Sequence, residues 1–246
     1  MTPSDPNAAY ERSAEVYDLI YSEVLDHADN AERVHRLVAA KNPAARTLLE
    51  VACGTGAYLE PLAAYYEVTG LDISPAMLSH ARTRLPDVRL VEGDMSDFDL
   101  GATFDVVACL FSSIAYLRSL AELRSTFAAF ARHLAPDGVA IIEPWLLPDG
   151  WQKGRVSALS ASNDEVAVSR ASTSRREGDE VTMTLGFAVA RTNGEVETFV
   201  EEHVTHLFTV EEHLEAFKAA GLAAEYDPEG LMGRGLYVAR HDRPTP

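Results

Sequence analysis

The chain has 246 residues, of which 47% are hydrophobic and 24% charged, which is enough material for a sizeable buried core. Its 38 acidic residues outnumber 21 basic ones and give a formal charge of −17. Such a surface repels phosphate backbones, so we expect neither DNA nor RNA as the main partner. We find neither a signal peptide nor an apolar run long enough to span a membrane, and we therefore expect a cytoplasmic protein.

The cysteines and histidines offer no metal site. Cys53 and Cys109 each lie in an apolar run, with neither a C-x-x-C pair nor a histidine pair nearby, and we predict reduced thiols that act as packing residues. His203 and His206 are three residues apart in a predicted strand, which places them on opposite faces. We interpret each of them as a structural histidine.

The first two thirds of the chain predict alternating helices and strands. Residues 10–41 carry apolar residues near the helical period, with a break around 26–30. Ser74 before Pro75 is typical of a helix start, and Pro136-Asp137-Gly138 predicts a turn before a strand. The predicted strands are 47–52, 67–71, 88–91, 104–109 and 139–143, and the predicted helices are 58–64, 75–85 and 120–134. Strands this apolar predict an α/β fold with a doubly wound, mostly parallel sheet that is covered on both faces.

Beyond Trp145 the apolar period changes to two, as in Val181, Met183 and Leu185, and this predicts an antiparallel β meander over about 166–208. A helix at 210–220 and strands at 223–226 and 235–239 follow it. We predict one domain over 1–246, with a helical lid at 10–41 and an antiparallel insertion at 155–208 that roofs the active site.

The stretch LLEVACGTGAYLEPL, residues 48–62, predicts a strand followed by a helix, with Gly54 and Gly56 in the turn between them. In a parallel sheet, ligands bind at such a turn, beyond the carboxyl ends of the strands. Leu59 stands where the dinucleotide fingerprint needs its third glycine, which disfavours a pyrophosphate ligand. Asp72 ends the second strand, where a carboxylate can accept both ribose hydroxyls of a nucleoside, and Asp94 with Met95 could border an adenine. The alternatives are a simple tight turn and two capping aspartates.

The motifs EVACGTG, LDIS, GDM and FDVV resemble those of the class I S-adenosylmethionine-dependent methyltransferases over residues 48–143. The resemblance implies a Rossmann-like fold and S-adenosylmethionine in the gap. It also implies roles for individual residues. The cofactor-binding set is Tyr17, Ala52, Gly54, Gly56, Asp72, Ile73, Met77, Asp94, Met95 and Leu110. Tyr17, in the lid-like helix AEVYDLIY, equally suits a core position.

The longer pattern, from VACGTG through LFSSIAYL and IEPW to GRGLYV, is similar to the N,N-dimethyltransferases of nucleotide-linked deoxyaminosugars in macrolide pathways. That resemblance implies that Tyr116 and Trp145 border the sugar and that Arg234 meets the nucleotide or diphosphate. Packing and a surface ion pair are the alternatives for Trp145 and Arg234. The chain departs from the family at EVLDHAD, which replaces its Gly-Lys-Asp-Tyr run, and at Leu146-Leu147, which replaces paired aromatic residues.

We therefore expect an S-adenosylmethionine-dependent N-methyltransferase that acts on a dTDP-linked deoxyaminosugar in antibiotic biosynthesis and works mainly by positioning. The alternative acceptor is another natural-product amine or hydroxyl. A remote alternative function is that of a non-catalytic cofactor-binding module. Tyr10, Tyr116 and His27 are candidates for passing the amine's proton to water, with a small loss expected on mutating any one of them. Arg175 and Arg176 are further candidates for an anion. We also expect a homodimer.

Overall fold

The computed structural model describes residues 10–22 and 24–242. The helices are α1 (Ala14–Ser22), α2 (His27–Lys41), α3 (Leu59–Leu62), α4 (Pro75–Arg84), α5 (Leu120–His133) and α6 (Val210–Ala219). The strands up to the insertion are β1 (Thr47–Val51), β2 (Glu67–Asp72), β3 (Arg89–Glu92), β4 (Phe104–Cys109) and β5 (Leu134–Ile142). The later strands are β6 (Val156–Ser162), β7 (Val166–Glu177), β8 (Glu180–Arg191), β9 (Val196–His206), β10 (Leu222–Asp227) and β11 (Leu236–His241).

Within the described residues, seven strands form one sheet in the order β10-β11-β5-β4-β1-β2-β3. β1 to β5 pair in parallel, and β11 joins β5 antiparallel. The strand order reverses between β1 and β4, which is the topological switch point where ligands bind in sheets of this kind. The doubly wound, mostly parallel α/β fold predicted from the sequence is confirmed.

Two apolar clusters cover the two faces of this sheet. One packs α5 and α6 against the sheet through Phe127, Phe130 and Phe217, and the other packs α2 and α3 through residues such as Val34 and Leu59. Strands buried on both faces need the near-continuous apolar runs that the sequence shows. The layers hold the strand ends rigid, and these ends carry the candidate site.

The insertion forms a second antiparallel sheet, β6-β7-β8-β9. Its inner face packs against α1, because Val16 and Ile20 share a cluster with Leu185, Phe187 and Phe199. The four-stranded sheet thus packs on the lid-like helix α1, and it lies over the carboxyl edge of the larger sheet. Its first strand, β6, lies before the predicted start of the meander at about residue 166. The sequence did not indicate this strand, because Val156–Ser162 is rich in serine and alanine and shows little alternation of apolar and polar residues.

Three local boundaries differ from the prediction. The break between α1 and α2 ends at Asp26, whose side chain accepts a hydrogen bond from the Asp29 N–H and starts α2, so 27–30 are helical. The third helix is shorter than 58–64, at Leu59–Leu62. The turn predicted at 136–138 is an irregularity inside β5, where the register against β4 shifts between Leu134 and Val139.

Candidate active site

Asp72 is the centre of the first part of the site. It ends β2 and is buried, and its two carboxylate oxygens accept hydrogen bonds from the Gly54 N–H at 2.7 Å and the Ser74 N–H at 2.8 Å. Burial raises the pKa of this carboxyl, although the backbone hydrogen bonds oppose the shift. Each oxygen keeps a further lone pair, so the residue can join the two loops and still accept bonds from a ligand.

The turn after β1 has an unusual backbone. Ala52 and Gly54 have φ angles of +59 and +56, in the left-handed region, and both border a cavity. A side chain added at Gly54 would meet no atom within 4 Å, so the local space is open. Glycine is favoured here because this backbone conformation strains other residues, and a ligand can approach the chain closely.

This first cavity has a volume of about 260 Å³ and lies at the carboxyl ends of β1 to β4. Eight predicted cofactor residues border it: Tyr17, Ala52, Gly54, Asp72, Ile73, Met77, Asp94 and Met95. Ser74 caps α4 as predicted, and its hydroxyl accepts a hydrogen bond from the Met77 N–H. The helix start thereby fixes Met77 at the wall of the cavity.

Two predicted cofactor residues are absent from its lining. Gly56 faces α4 instead: a Cβ there would lie 3.2 Å from Leu85 and 3.5 Å from Ala81, so this glycine permits close packing. Leu110 is buried in the core, and the next residue, Phe111, borders the cavity. Phe111 and not Leu110 reaches the cavity, because the chain turns at Phe111 and Ser112, where φ is +51° and +67°.

Helix α1 covers this cavity and is tied to the glycine turn. Asp18 accepts a hydrogen bond from the Thr55 hydroxyl at 2.5 Å and pairs with the Arg84 guanidinium of α4 at 2.6 Å. The same helix brings Tyr17 to the cavity wall. The contacts of α1 thus link its position to the two elements that border the cavity.

A second cavity of about 360 Å³ adjoins the first and shares Tyr10, Phe111 and Tyr116 with it. The four-stranded sheet contributes its roof, with Arg170 and Thr205 among the lining residues. Trp145 borders it, as predicted for the acceptor side. The shared tyrosines mark the junction at which groups in the two cavities would meet.

Arginines line the second cavity despite the acidic composition. Arg234 donates a hydrogen bond to the Ser112 hydroxyl at 3.1 Å and lies over the Phe111 ring. Arg170 donates to the Tyr21 hydroxyl at 2.6 Å, and its Nε is buried with no hydrogen-bond partner among the described residues. Two guanidinium groups in the lining of one cavity favour an anionic ligand here.

The other arginines predicted as anion ligands lie elsewhere. Arg175 pairs with Glu202 on the exposed side of the roof sheet. Arg176 donates hydrogen bonds to the carbonyl oxygens of Pro148 and Gly178 and to Asp179. Neither borders a described cavity.

His27 was predicted among the proton carriers, and the structure places it apart from the other two candidates. It packs edge-on against Tyr58 and borders a shallow depression on the outer side of α1, together with Asp18 and Arg84. Tyr10 and Tyr116 lie at the junction of the two main cavities, on the other side of that helix. His27 begins α2 directly after its cap, Asp26, and this fixes its side chain away from the junction.

The sequence reasoning missed the contribution of β9. His203, interpreted there as a structural histidine, is buried, and its Nδ1 lies 2.8 Å from the Tyr116 hydroxyl oxygen. Its Nε2 lies 3.3 Å from a Glu201 oxygen. Both side chains lie on the inner face of β9. The alternation of apolar and polar residues along this strand was the sequence feature that could have placed them there.

Among the described residues, the lining fits S-adenosylmethionine. Asp72 has spare acceptor capacity for ribose hydroxyls, and the open backbone of Ala52 and Gly54 leaves room for the methionine portion. Met77 and Met95 supply apolar surfaces for an adenine ring. In that same part of the chain no cluster of side chains could hold a metal ion, and no helix is long and apolar enough to cross a membrane.

Comparisons with known proteins agree. A family model described as a methyltransferase domain matches residues 48–138. The dTDP-3-amino-3,4,6-trideoxy-alpha-D-glucopyranose N,N-dimethyltransferase of Streptomyces venezuelae is 44% identical over 227 residues, which cover 92% of this chain and 96% of that protein. The chain belongs to the class I S-adenosylmethionine-dependent methyltransferases, in the group of the deoxyaminosugar N,N-dimethyltransferases.

Solved structures place this methyltransferase in the same group. The crystal structure of DesVI from Streptomyces venezuelae superimposes with a TM-score of 0.90 at 43% identity, covering 93% of this chain and 98% of that one. An amino pentose methyltransferase from Micromonospora echinaspora, involved in calicheamicin biosynthesis and solved with S-adenosylmethionine bound, gives 0.83 at 42% identity, with 91% and 95% covered. The enzyme is an S-adenosylmethionine-dependent methyltransferase, as the sequence predicted.

Proposed function

We propose that this methyltransferase transfers methyl groups to the amine of a dTDP-linked deoxyaminosugar in natural-product biosynthesis. The observation that carries the proposal is the pair of cavities that meet at Tyr10, Phe111 and Tyr116. One has the lining of a nucleoside site, and the other has room for a sugar and arginines for a diphosphate. The substrates named for the Streptomyces venezuelae and Saccharopolyspora spinosa relatives are dTDP-linked aminosugars, which supports this acceptor class.

In this proposal the second cavity holds the sugar nucleotide. A guanidinium has five N–H donors, so the bond from Arg234 to Ser112 leaves capacity for a bidentate contact with phosphate. Arg170 adds a second positive charge in the roof. Trp145 provides an aromatic surface beside the sugar.

Positioning supplies most of the catalysis. Bound S-adenosylmethionine supplies an electrophilic methyl group on a sulfonium, and Asp72, Gly54 and Tyr17 hold that cofactor in the first cavity. Tyr10 and Tyr116 border the acceptor amine where the cavities meet, and α1 with the roof sheet excludes water. Aligning two reactants in this way can contribute about 7 kcal/mol or more to lowering the barrier.

The test measures binding and products together. Calorimetry with S-adenosylhomocysteine, followed by a dTDP-linked 3-amino-deoxysugar, should show two separate saturable sites, and mass spectrometry should show products with one and then two added methyl groups. Cofactor binding without a sugar-nucleotide site would contradict the proposed acceptor. Turnover of another amine or hydroxyl instead would identify the alternative acceptor class, and binding without any turnover would favour a non-catalytic module.

Arg234→Ala tests the diphosphate contact. We expect about tenfold weaker binding of the sugar nucleotide, because a charge-assisted hydrogen bond contributes about 1.5 kcal/mol or more, with the dissociation constant of S-adenosylhomocysteine unchanged. Arg175→Ala is the matched control, since this arginine lies outside both cavities. Equal effects of the two variants would show that overall charge, and not a local contact, attracts the ligand.

We also propose a homodimer, which light scattering of the purified enzyme tests, and a cytoplasmic location, which fractionation of cells that express the enzyme tests.

A further inference from the structure

A buried chain of polar groups leads away from the junction of the two cavities. The hydroxyl oxygens of Tyr10 and Tyr116 are 2.6 Å apart, and the Tyr116 oxygen lies 2.8 Å from His203 Nδ1. The Tyr10 ring also packs against the His203 ring, with centroids 4.4 Å apart. Beyond the histidine, Glu201 lies 3.3 Å from Nε2. The chain therefore joins the site of the acceptor amine to a carboxylate in the roof.

Glu201 is held by the start of the lid. Its Oε1 accepts hydrogen bonds from the backbone N–H groups of Arg12 and Ser13, and its Oε2 accepts one from the Ser13 hydroxyl at 2.8 Å. Burial alone would raise the pKa of this carboxyl, but the hydrogen bonds from His203 and Ser13 outweigh burial and hold it below its ordinary value. Glu201 is therefore ionised at neutral pH.

An ionised Glu201 decides which ring nitrogen of a neutral His203 carries the proton. A carboxylate only accepts hydrogen bonds, so Nε2 must donate to it. Nδ1 then has a free lone pair 2.8 Å from the Tyr116 oxygen. The Tyr116 hydroxyl donates to Tyr10 in the structure and can rotate about its C–O bond to donate to Nδ1 instead. The arrangement matches the way in which a carboxylate orients a histidine base in other enzymes.

The reaction needs a proton acceptor at this place. An alkylamine is mostly protonated at neutral pH, as the pKa of a lysine side chain near 10.4 illustrates, and it becomes a nucleophile only after losing that proton. Burial raises the pKa of Tyr10 and Tyr116, so neither becomes a phenolate base. Each tyrosine can still accept a proton while it releases its own to the next group.

We propose that His203 and Glu201 are positioning residues that remove the proton of the acceptor ammonium through Tyr116. The ammonium N–H bond breaks as its proton passes to the Tyr116 oxygen, the Tyr116 proton moves to His203 Nδ1, and Glu201 stabilises the imidazolium. The neutral amine then forms the new N–CH₃ bond as the CH₃–S bond breaks. The imidazolium releases its proton to water before a second transfer. This inference rests on the proposed N-methylation.

The other charged and titratable groups around His203 are accounted for. Glu201 lies on its own strand, Tyr116 comes from the turn after β4, and Tyr10 comes from the segment before α1. Arg170, on β7 in the same roof, is bonded to Tyr21 of α1. Glu201 is the anion in contact with the imidazole within the described residues.

The first test compares pH profiles of wild type, His203→Gln and Glu201→Gln, with S-adenosylmethionine and a dTDP-linked aminosugar. At pH 7 we expect His203→Gln to lower kcat about tenfold, which is below the usual contribution of a general base because positioning supplies most of the catalysis. KM and the dissociation constant of S-adenosylhomocysteine should change by less than about twofold. The loss should shrink as the pH rises towards the pKa of the amine, about 10.4 for a lysine side chain, because the amine then deprotonates without help. Glu201→Gln should follow the same profile with a smaller loss.

His206→Gln is the matched control, because His206 lies three residues along on the other face of the same strand. It should leave kcat unchanged at every pH. A loss in His203→Gln that is equal at all pH values would indicate a purely structural role and overturn the proposal. No loss at any pH would overturn it as well.

A second test needs no substrate. Nitrogen-15 NMR of the full-length protein, with His203 assigned by difference from His203→Gln, reports which ring nitrogen is protonated in the neutral form. A proton on Nε2 supports the proposal, and a proton on Nδ1 overturns it. If wild type methylates no dTDP-linked aminosugar, the proposed function fails, and the NMR result still decides the assignment of His203.

Discussion

The first cavity takes most of its lining from residues that directly follow the strands of the large sheet, whereas the second takes its lining from segments far apart in the chain. Asp72, Asp94 and the Ala52–Gly54 turn follow β2, β3 and β1. The second cavity combines Tyr10, Trp145, Arg170 and Arg234, from the start, middle and end of the chain. Hydrogen bonds within its lining bridge 106 residues between Tyr10 and Tyr116, and 149 between Tyr21 and Arg170.

This difference separates two tasks. Short motifs at strand ends place cofactor groups through a rigid sheet, so the position of each residue follows from the strand that precedes it. The acceptor side needs the lid, the inserted sheet and the C-terminal loop to assemble together. We therefore expect substitutions in the first group to act on cofactor binding alone, and those in the second to act on the acceptor.

Asp72→Asn should give the largest effect on the cofactor side. We expect S-adenosylhomocysteine to bind about 100-fold more weakly. The hydrogen bonds from the ribose hydroxyls to the carboxylate together contribute about 3 kcal/mol, and the substitution removes most of that contribution. Calorimetry measures it, and Asp97→Asn, an exposed acid outside the cavity lining, is the control. An equal loss in both would show that charge near the cavity, and not the contact, drives binding.

The pH dependence sharpens this prediction. Burial raises the pKa of Asp72, so its carboxylate gains a proton at a higher pH than an exposed aspartate does. As the pH is lowered, the affinity of wild type should begin to fall at a pH above the ordinary aspartate pKa of about 3.9, whereas that of Asp72→Asn should stay level. A parallel decline in both would place the titrating group elsewhere.

The same contrast explains what the sequence could predict. The Asp72 and Asp94 positions followed from strand ends, and the Ser74 cap followed from Ser-Pro at a helix start, because these features depend on neighbouring residues. Gly56 and Leu110 lie outside the cavity lining, because a glycine pair does not reveal which member meets the ligand, and a one-residue change at a strand end reverses the side chain.

The acceptor side was harder to predict because its contacts are made only when distant segments pack. The place of His203 beside Tyr116 depends on how the inserted sheet lies over the turn after β4, which alternation within β9 cannot determine. His27 lies away from the junction because the start of α2 turns its side chain towards Tyr58. Arg234 and Trp145 were found through resemblance to a family and not through their own local pattern.

Gly54→Ala tests whether the open turn serves the ligand or only the backbone. An alanine at the left-handed φ of +56° is strained, so the free energy of unfolding should fall by about 1 kcal/mol. Cofactor binding should weaken about tenfold because the added methyl group enters the site. Gly101→Ala is a matched control, with φ of +62 and open space around it, but outside the cavity. It should show the same loss of stability in thermal unfolding and unchanged binding of S-adenosylhomocysteine. Equal binding losses would contradict a ligand role for this turn.

Arg84→Met should give the smallest effect, on the helix that the two halves share. Helix α1 is tied to the cofactor side by the Asp18–Arg84 pair and to the roof by the packing of Val16 and Ile20. A partly exposed pair contributes up to about 1 kcal/mol, so we expect S-adenosylhomocysteine to bind about three- to fivefold more weakly, with the difference reduced in high salt. Arg82→Met, on the exposed face of the same helix, should have no effect. An unchanged affinity in Arg84→Met would mean that apolar packing against the roof alone holds α1 closed, so the lid would belong to the acceptor side and its closure would follow the sugar nucleotide.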